Sequence, residues 1–410
     1  MSMATTLKEE SEAKTRARTA KPVRMVVGIT SAQTCLVLTG RLRALRLAGF
    51  QVTLVSSPGD LLTRITDAEA VRAKPIAMRR GIAPLADFQA FFSIFFYLVR
   101  HRPLIVDFGT PKAGMLGNLA AWMLRIPHRV YTLRGLKLES ASGRKRRLLL
   151  WAERVSAYCA QVVLCNSASL RREAIALGIA PEAKLRILGD GSSNGVDTDR
   201  FCPGRSEVRS RLNIPASDPV VGFVGRLTQD KGVPELLEAF ERVLNRFPNC
   251  WLLLVGWFDA SEDALSVHLR ARIADHPRIR HTGFVMDTAE YYRAMDLLIL
   301  PTHREGFPNV VLEAAASGLP VVTTESTGAR DAVIPEVTGL LVPPGYPEAI
   351  AEAALELLGN REKRFRMGTA ARVWVLERFS NERVLALATE FYKSLLRPKE
   401  AARLAANEPK

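Results

Sequence analysis

No apolar run in this sequence is long enough to cross a bilayer, which takes about 20 residues. The strongest such stretch, Phe91 to Val99 (FFSIFFYLV), falls far short. The opening MSMATTLKEESEAKTRARTAKP is charged and has no apolar core, so neither a signal peptide nor a span is expected there. Residues 1–21 are expected to be a disordered basic lead-in. The five cysteines, Cys35, Cys159, Cys165, Cys202 and Cys250, are odd in number, scattered and without paired ligand spacing. That pattern disfavours a disulfide framework or a zinc site and suits buried thiols in a reducing compartment. No other cluster has metal-ligand spacing, so neither metal nor cofactor is expected, and no RNA or DNA module is visible.

What is present is an ordinary globular composition, 48% hydrophobic and 24% charged, on 410 residues, enough for two or three domains with full cores. Lys and Arg number 57 against 42 Asp and Glu, giving a net charge of +15. Such an excess suggests a polyanionic partner, either nucleic acid or an anionic membrane surface. The excess is uneven: Arg125 to Arg154 holds nine Lys or Arg against two Glu, a local +7. Within it GRKRRLLLWAERV (143 to 155) joins a basic run to an apolar helix bearing Trp151, a pattern suited to an anionic lipid surface. FFSIFFYLVRHR would add apolar insertion. The competing reading makes Leu148 to Leu150 core and the phenylalanine run a buried helix.

Strand-like and helix-like segments alternate along the chain. VRMVVGI (23 to 29) is followed by a helix through CLVLTGRLRALRLAG, then by QVTLVSS, LIVDFG (104 to 109), a helix around AGMLGNLAAWMLR, HRVYTL, a helix over Lys145 to Ala157 and QVVLCNS (161 to 167). Glycines, serines and asparagine interrupt the pattern at 189 to 203, read as a hinge over 191–203 that includes Asn194 and Asp197. Alternation resumes with PVVGFVG (219 to 225), a helix over 234 to 247 whose Leu236, Leu237, Phe240, Val243, Leu244 and Phe247 recur at helical spacing, WLLLVG, a helix over 261 to 275, IRHTGF and MDLLILPT. PVVTT, TGLLVPP and helices over 347 to 358, 360 to 377 and 381 to 396 complete the chain. The expected fold class is α/β, with two Rossmann-like doubly wound domains (22–190 and 204–378) facing a central cleft. Residues 379–397 are expected to fold back onto the first domain and 398–410 to form a flexible tail.

Two segments concentrate chemistry. In REGFPNVVLEAAASGLP (304 to 320), Gly306, Pro308 and Asn309 mark a turn between a buried strand and a short helix closed by Gly318. Glu305 is thereby placed at the strand's carboxyl end and Glu313 near the helix start, where open parallel sheets bind ligands. Either the pair binds hydroxyls of a sugar or ribose, or Glu305 caps the turn and Glu313 favours the helix dipole. In GFVGRLTQDKG (222 to 232), Gly225 ends a strand, and Arg226 and Lys231 can hold a pyrophosphate or form a merely solvated loop. This loop lacks the GK[ST] of a Walker motif and the GxGxxG of a dinucleotide site. Asp197 and Asp199 form a DxD, but in the hinge and away from any strand-end carboxylate cluster.

GRLTQDKG, EGFPNVVLEAAASGLPVV, TGLLVPP and the hinge NGVD, in this order and spacing, resemble the retaining glycosyltransferases of family 4, which have the GT-B fold. The resemblance implies an N-terminal acceptor-binding domain, a C-terminal donor-binding domain, and a last helix crossing back to the first. It implies that Arg226 and Lys231 bind the donor diphosphate and that Glu305 faces the transferred sugar, these three being the catalytic set. Glu313 would hold the ribose hydroxyls, with Gly225, Gly306, Phe307, Asn309 and Val310 completing the donor site. Arg134, in HRVYTLRGLKLES, stands where many members have His, and Arg cannot serve as a base. With Thr110 and Lys112 of the TPKAG loop it is the candidate acceptor side. Asp331 in STGARD replaces a frequent Glu and takes no role.

The function so implied is metal-independent, retaining transfer of a hexosyl or N-acetylhexosaminyl unit from a nucleotide-diphosphate sugar, with UDP as nucleotide. The acceptor would be a polyprenyl-diphosphate-linked or other glycan in cell-surface polysaccharide assembly. The protein would be cytoplasmic, peripheral on the inner membrane face, and would bind no nucleic acid. The alternative is a non-catalytic nucleotide-sugar-binding partner subunit that has lost acceptor chemistry.

Overall fold

The computed structural model describes residues 22–79, 81, 83–259 and 263–408; the lead-in expected over 1–21 lies outside the described residues. The first sheet contains β1 (Arg24–Gly28), β2 (Gln51–Ser56), β3 (Arg72–Pro75), β4 (Ile105–Gly109), β5 (His128–Leu133), β6 (Val162–Cys165) and β7 (Leu185–Arg186). The second contains β8 (Val220–Val224), β9 (Trp251–Val255), β10 (Ile279–His281), β11 (Leu297–Leu300), β12 (Val321–Thr324) and β13 (Gly339–Val342). Their spatial orders are β3-β2-β1-β4-β5-β6-β7 and β10-β9-β8-β11-β12-β13, parallel throughout. In each sheet the chain reverses its winding once, between β1 and β4 and between β8 and β11, which opens a crevice at those strands' carboxyl ends. Strands β4, β8, β9, β11 and β12 are buried along their whole length, as strands covered by helices on both faces must be.

Helix spacing read from the sequence holds well in the second domain. Leu236, Leu237, Phe240 and Val243 of the helix Val233–Arg246 are buried against the sheet, while Leu244 and Phe247 pack at its margin. The helix expected over 261 to 275 is observed as Val267–Asp275, capped by the Ser266 side chain; residues 260–262 lie outside the described ones.

In the first domain the segment CLVLTGRLRALRLAG is two elements rather than one, a 3-10 turn at Ala32–Leu38 and a helix at Arg41–Leu47. Gly40 breaks them apart at φ 80°. The buried carboxylate of Glu69 accepts from the amides of Gly40 and Arg43 at 2.8 and 2.7 Å, capping the second piece. Strands β3 and β7 carry no apolar run and escape sequence reading, β3 being an exposed edge.

The helix Asn381–Ser394 returns to the first domain, where Tyr392 is fully buried in a core with Leu42, Phe50 and Leu404. Residues 398–410, expected as a flexible tail, instead contain the helix Pro398–Ala405. It is fixed because Leu404 and Glu400 are buried, and Glu400 meets Arg397 at 2.6 Å and His128 at 3.3 Å.

Behind β5, Tyr131 donates a hydrogen bond to Glu153 on the helix Gly143–Cys159. Burial pushes the Glu153 carboxyl up to about 7, against the opposing pull of the Tyr131 hydroxyl. A carboxyl whose pKa is raised by folding keeps its proton in the native state while the unfolded chain has lost it. This group therefore stabilises least above pH 7, and its contribution falls as pH rises from about 4.5 to about 7. Glu153→Gln should remove that fall: the stability difference between variant and wild type, followed by urea unfolding at pH 5 and pH 8, should shift in the variant's favour by roughly 2–3 kcal/mol at the higher pH. Parallel pH profiles would contradict the assignment.

Candidate functional site

The carboxyl ends of β8 and β11 meet the first domain across a cavity of about 240 Å³. Gly225, Lys231, Glu305, Gly306, Phe307, Asn309 and Val310 line it from the second domain, Arg134 and Asn166 from the first, and Ser193 from the hinge beside it. Gly225 leaves β8 at φ 147°, a backbone state that a side chain rarely adopts.

Carboxylates hold the cations of the β8 loop in place. Lys231 forms an ion pair with Glu305, both side chains being about 15% exposed. Arg226 donates to Asp259 at 2.6 Å, with Asp230 at 3.8 Å from the same guanidinium. Asp230 is buried and receives Arg304 at 2.8 Å and the Thr228 hydroxyl at 2.6 Å. Burial alone would push its carboxyl up; Thr228, Arg304, Lys231 and Arg226 together bring it below the usual carboxylate value. The result is a mesh in which cations and anions alternate near the mouth of the crevice.

The helix Asn309–Ala316 starts at the cavity with Pro308 as its cap residue and no capping side chain. Asn309 Oδ1 is buried without a partner among the described residues. Glu313 sits in the second turn, one step deeper than the sequence placed it, and is not on the cavity wall. Its Oε2 accepts from the buried Tyr292 hydroxyl at 2.7 Å. Burial raises the Glu313 carboxyl, while the tyrosine and Arg200 oppose the rise.

Backbone contacts join the domains. A Cβ on Gly306 would come within 2.1 Å of the Arg134 carbonyl oxygen, so only glycine lets these loops touch. Within the second domain, a Cβ on Gly328 would meet the carbonyl oxygens of Glu305 and Gly306 at 2.6 Å, which keeps that loop against the same turn. Asp331, which the sequence left without a role, accepts from the Ser169 amide at 2.7 Å at the start of the first-domain helix Ala168–Ala176. The Gly328 amide donates to the Ser169 hydroxyl at 2.7 Å.

On the first-domain side, the Arg134 guanidinium donates through Nη1 to the Ser193 hydroxyl at 3.0 Å, and its Nε is buried without a partner among the described residues. Burial first, then the neighbouring Arg41, lower its pKa to about 10. Thr110 and Lys112, expected beside it, are engaged elsewhere. Thr110 pairs its hydroxyl with Thr30 at 2.7 Å, and Lys112 is bound by Asp87 and the Gly81 carbonyl at 2.5 Å each, so neither is on the cavity wall. Asn194 ties the hinge to the Val37 carbonyl at 2.6 Å. Asp197 is exposed and folds back on the amides of Asp199 and Arg200, which makes the DxD a local turn. Among the described residues no group of His, Cys, Asp or Glu is arranged to hold a metal ion.

Sequence reading missed Asn166, Ser193, Asp230 and Arg304. Asn166 follows β6 directly, and its strand-end position was the available signal; Ser193 was hidden in the stretch read as an interdomain hinge. Asp230 and Arg304 flank Lys231 and Glu305 in the sequence, but the burial of Asp230 and its pairing with Arg304 are tertiary facts.

A family model described as glycosyl transferases group 1 matches residues 204–374, and one described as a glycosyl transferase 4-like domain matches residues 37–191. The chain is 32% identical to the capsular polysaccharide biosynthesis glycosyltransferase CapM of Staphylococcus aureus, over 91% of this chain and 97% of that one. It is 26% identical to the UDP-Gal:alpha-D-GlcNAc-diphosphoundecaprenol alpha-1,3-galactosyltransferase of Escherichia coli, over 72% of this chain and 76% of that one. Among solved structures, Anabaena Alr3699/HepE in complex with UDP-glucose superposes with a TM-score of 0.75 at 20% identity, covering 90% of this chain and 99% of that one. The latter likeness concerns the fold, GT-B.

Proposed function

Because this chain belongs to the glycosyl transferases group 1 family and is a glycosyltransferase, we propose that its interdomain cavity binds a UDP-sugar and that it transfers the sugar with retention to a polyprenyl-diphosphate-linked glycan during polysaccharide assembly. The observation that carries this reading is the convergence of Lys231, Glu305 and the Asn309 helix start on one cavity. A diphosphate arriving there exchanges places with Glu305 on Lys231, and Arg226, held by Asp259 and not on the cavity wall, supplies a second cation beside it. As the anomeric carbon–oxygen bond breaks, negative charge grows on the leaving diphosphate. Fixed cations and the helix's partial positive charge stabilise it without reorganising, so this reading calls for no metal ion. The acceptor hydroxyl attacks the same face of the sugar, and the leaving phosphate takes its proton. Glu305, released from Lys231, faces the positive charge developing at the ring, and Glu313 anchors the ribose. The UDP-Gal donor and the diphosphoundecaprenol-linked acceptor in the name of the Escherichia coli relative support the two substrate classes.

The test is to offer the purified protein an α-linked UDP-sugar and a polyprenyl-diphosphate-linked glycan and to read the product's anomeric signal by NMR. An α product is expected; a β product would refute retention.

The same reading places the enzyme on a lipid surface. Helices Pro84–His101, Pro111–Met123 and Gly143–Cys159 lie side by side on one face of the first sheet. Ala90, Ile94 and Leu98 of the first pack inward, while Leu85, Phe88 and Phe96 are 85%, 64% and 63% exposed. Trp122, Trp151 and Tyr158 are exposed on the other two, beside the exposed basic run 144–147. Exposed aromatics flanked by cations suit an anionic interface. Among the described residues no helix is long and apolar enough to span a membrane. In liposome flotation at low salt, recovery should require anionic lipid and should drop several-fold in the Phe88→Ser/Phe96→Ser double variant. Equal recovery with neutral lipid, or no effect of the double variant, would count against this placement.

A further inference from the structure

We propose that Arg134 makes this enzyme selective for a donor whose transferred sugar carries a carboxylate, a nucleotide-linked uronate, over its neutral counterpart; the inference rests on the cavity being the donor site. On the second-domain side every cation near the cavity already has a carboxylate: Lys231 has Glu305, Arg226 has Asp259 and Arg304 has Asp230. The first-domain side differs. Arg134 and Arg41 lie close enough to influence one another electrostatically, and the nearby carboxylate is Asp107. Asp107 is 2% exposed and both its oxygens are taken, Oδ1 by the Thr132 hydroxyl at 2.6 Å and Oδ2 by the Tyr392 hydroxyl at 2.7 Å. Among the described residues neither arginine forms an ion pair with a carboxylate, and the Nε of each is buried without a partner. Two guanidinium groups with buried Nε atoms against one buried carboxylate leave an uncompensated positive charge, a costly state unless a ligand supplies the missing anion.

Position decides which anion it is. The diphosphate has its own cations on the β8 loop. The Arg134 carbonyl instead abuts Gly306, the neighbour of Glu305, through the backbone contact that Gly306 permits, and the Arg134 guanidinium reaches Ser193, another residue of the cavity wall. That is the sugar end of the site. A guanidinium is a planar fork that matches a carboxylate in two parallel hydrogen bonds, whereas a hydroxymethyl group would leave its charge unanswered.

The experiment is calorimetric binding of UDP, UDP-glucose, UDP-galactose, UDP-glucuronate and UDP-galacturonate to wild type, Arg134→Gln and Ser193→Ala. Wild type should bind one uronate at least about tenfold more tightly than the matching neutral sugar, because a charged group built to be paired discriminates against a ligand that cannot pair it. Arg134→Gln should erase that preference with UDP affinity unchanged. Ser193→Ala keeps the guanidinium but frees its Nη1, and should reduce the preference several-fold, which keeps the test decisive should the first variant fail to fold. Equal or tighter binding of the neutral sugars by wild type, or a preference that survives both substitutions, would overturn the inference while leaving the donor site intact. Failure of UDP itself to bind would remove the donor-site reading and this inference with it.

Discussion

Replacing Lys231 by alanine should lower kcat for sugar transfer by roughly 10²–10³, the usual loss when a preorganised charge at a developing anion is removed. The structure gives two reasons for so large an effect. Lys231 is the cation on the cavity wall of the second domain, and it is held there by Glu305 before any donor arrives. Without it, the charge on the leaving diphosphate loses its nearest fixed counterpart. Because the charge is largest in the transition state, kcat should fall more than KM rises. Lys231→Arg should recover part of the rate, since a cation remains but its geometry changes. Steady-state UDP release measures all three enzymes. A Lys231→Ala rate within about threefold of wild type would place the leaving group elsewhere, since such a change is under 1 kcal/mol in barrier.

The largest stability effect is expected at Asp107. Its carboxylate receives hydroxyls from Thr132 and Tyr392 and lies among Arg41 and Arg134. Asp107→Ala leaves the buried Arg41 and the half-buried Arg134 with no anion at all and removes the anchor through which the returning helix Asn381–Ser394 is tied to β4. Breaking a buried charged network from one side costs roughly 3–5 kcal/mol. For a domain of this size that is a fall in melting temperature on the order of 10 °C. Tyr392→Phe removes one hydrogen bond and keeps the charge balance, so its cost should be near 1–2 kcal/mol. Differential scanning calorimetry of the two variants separates them; similar shifts for both would mean that the hydroxyl, rather than the charge, matters.

Much of the fold could be read from the sequence because buried parallel strands and amphipathic helices leave local signatures. The apolar runs of β8, β9 and β11 and the 3.6-residue spacing in Val233–Arg246 are of this kind. The missed elements lack such signatures. Strand β3 is polar and forms an edge, the break at Gly40 depends on one φ angle, and the helix Pro398–Ala405 is fixed by contacts with His128 and the first-domain core. The same division applies to the site. Gly225, Lys231, Glu305 and Asn309 lie at strand ends and a helix start, places that a topology rule can locate. Their pairings lie outside that rule. Nothing local indicates that Lys112 is consumed by Asp87, that Thr110 turns to Thr30, or that Asp331 caps a helix of the other domain.

Glu313 is the residue on which the donor-site reading can be tested with least interference from chemistry, since it is assigned to binding alone. Titration calorimetry of UDP into wild type and Glu313→Ala, with melting temperatures recorded for both, is the direct measurement. Loss of a half-buried carboxylate that holds ribose hydroxyls should weaken UDP binding by about 10- to 100-fold in a protein that remains folded. Equal affinity in the two folded proteins would contradict the assignment of the ribose to Glu313 and with it the placing of the nucleotide at the helix Asn309–Ala316.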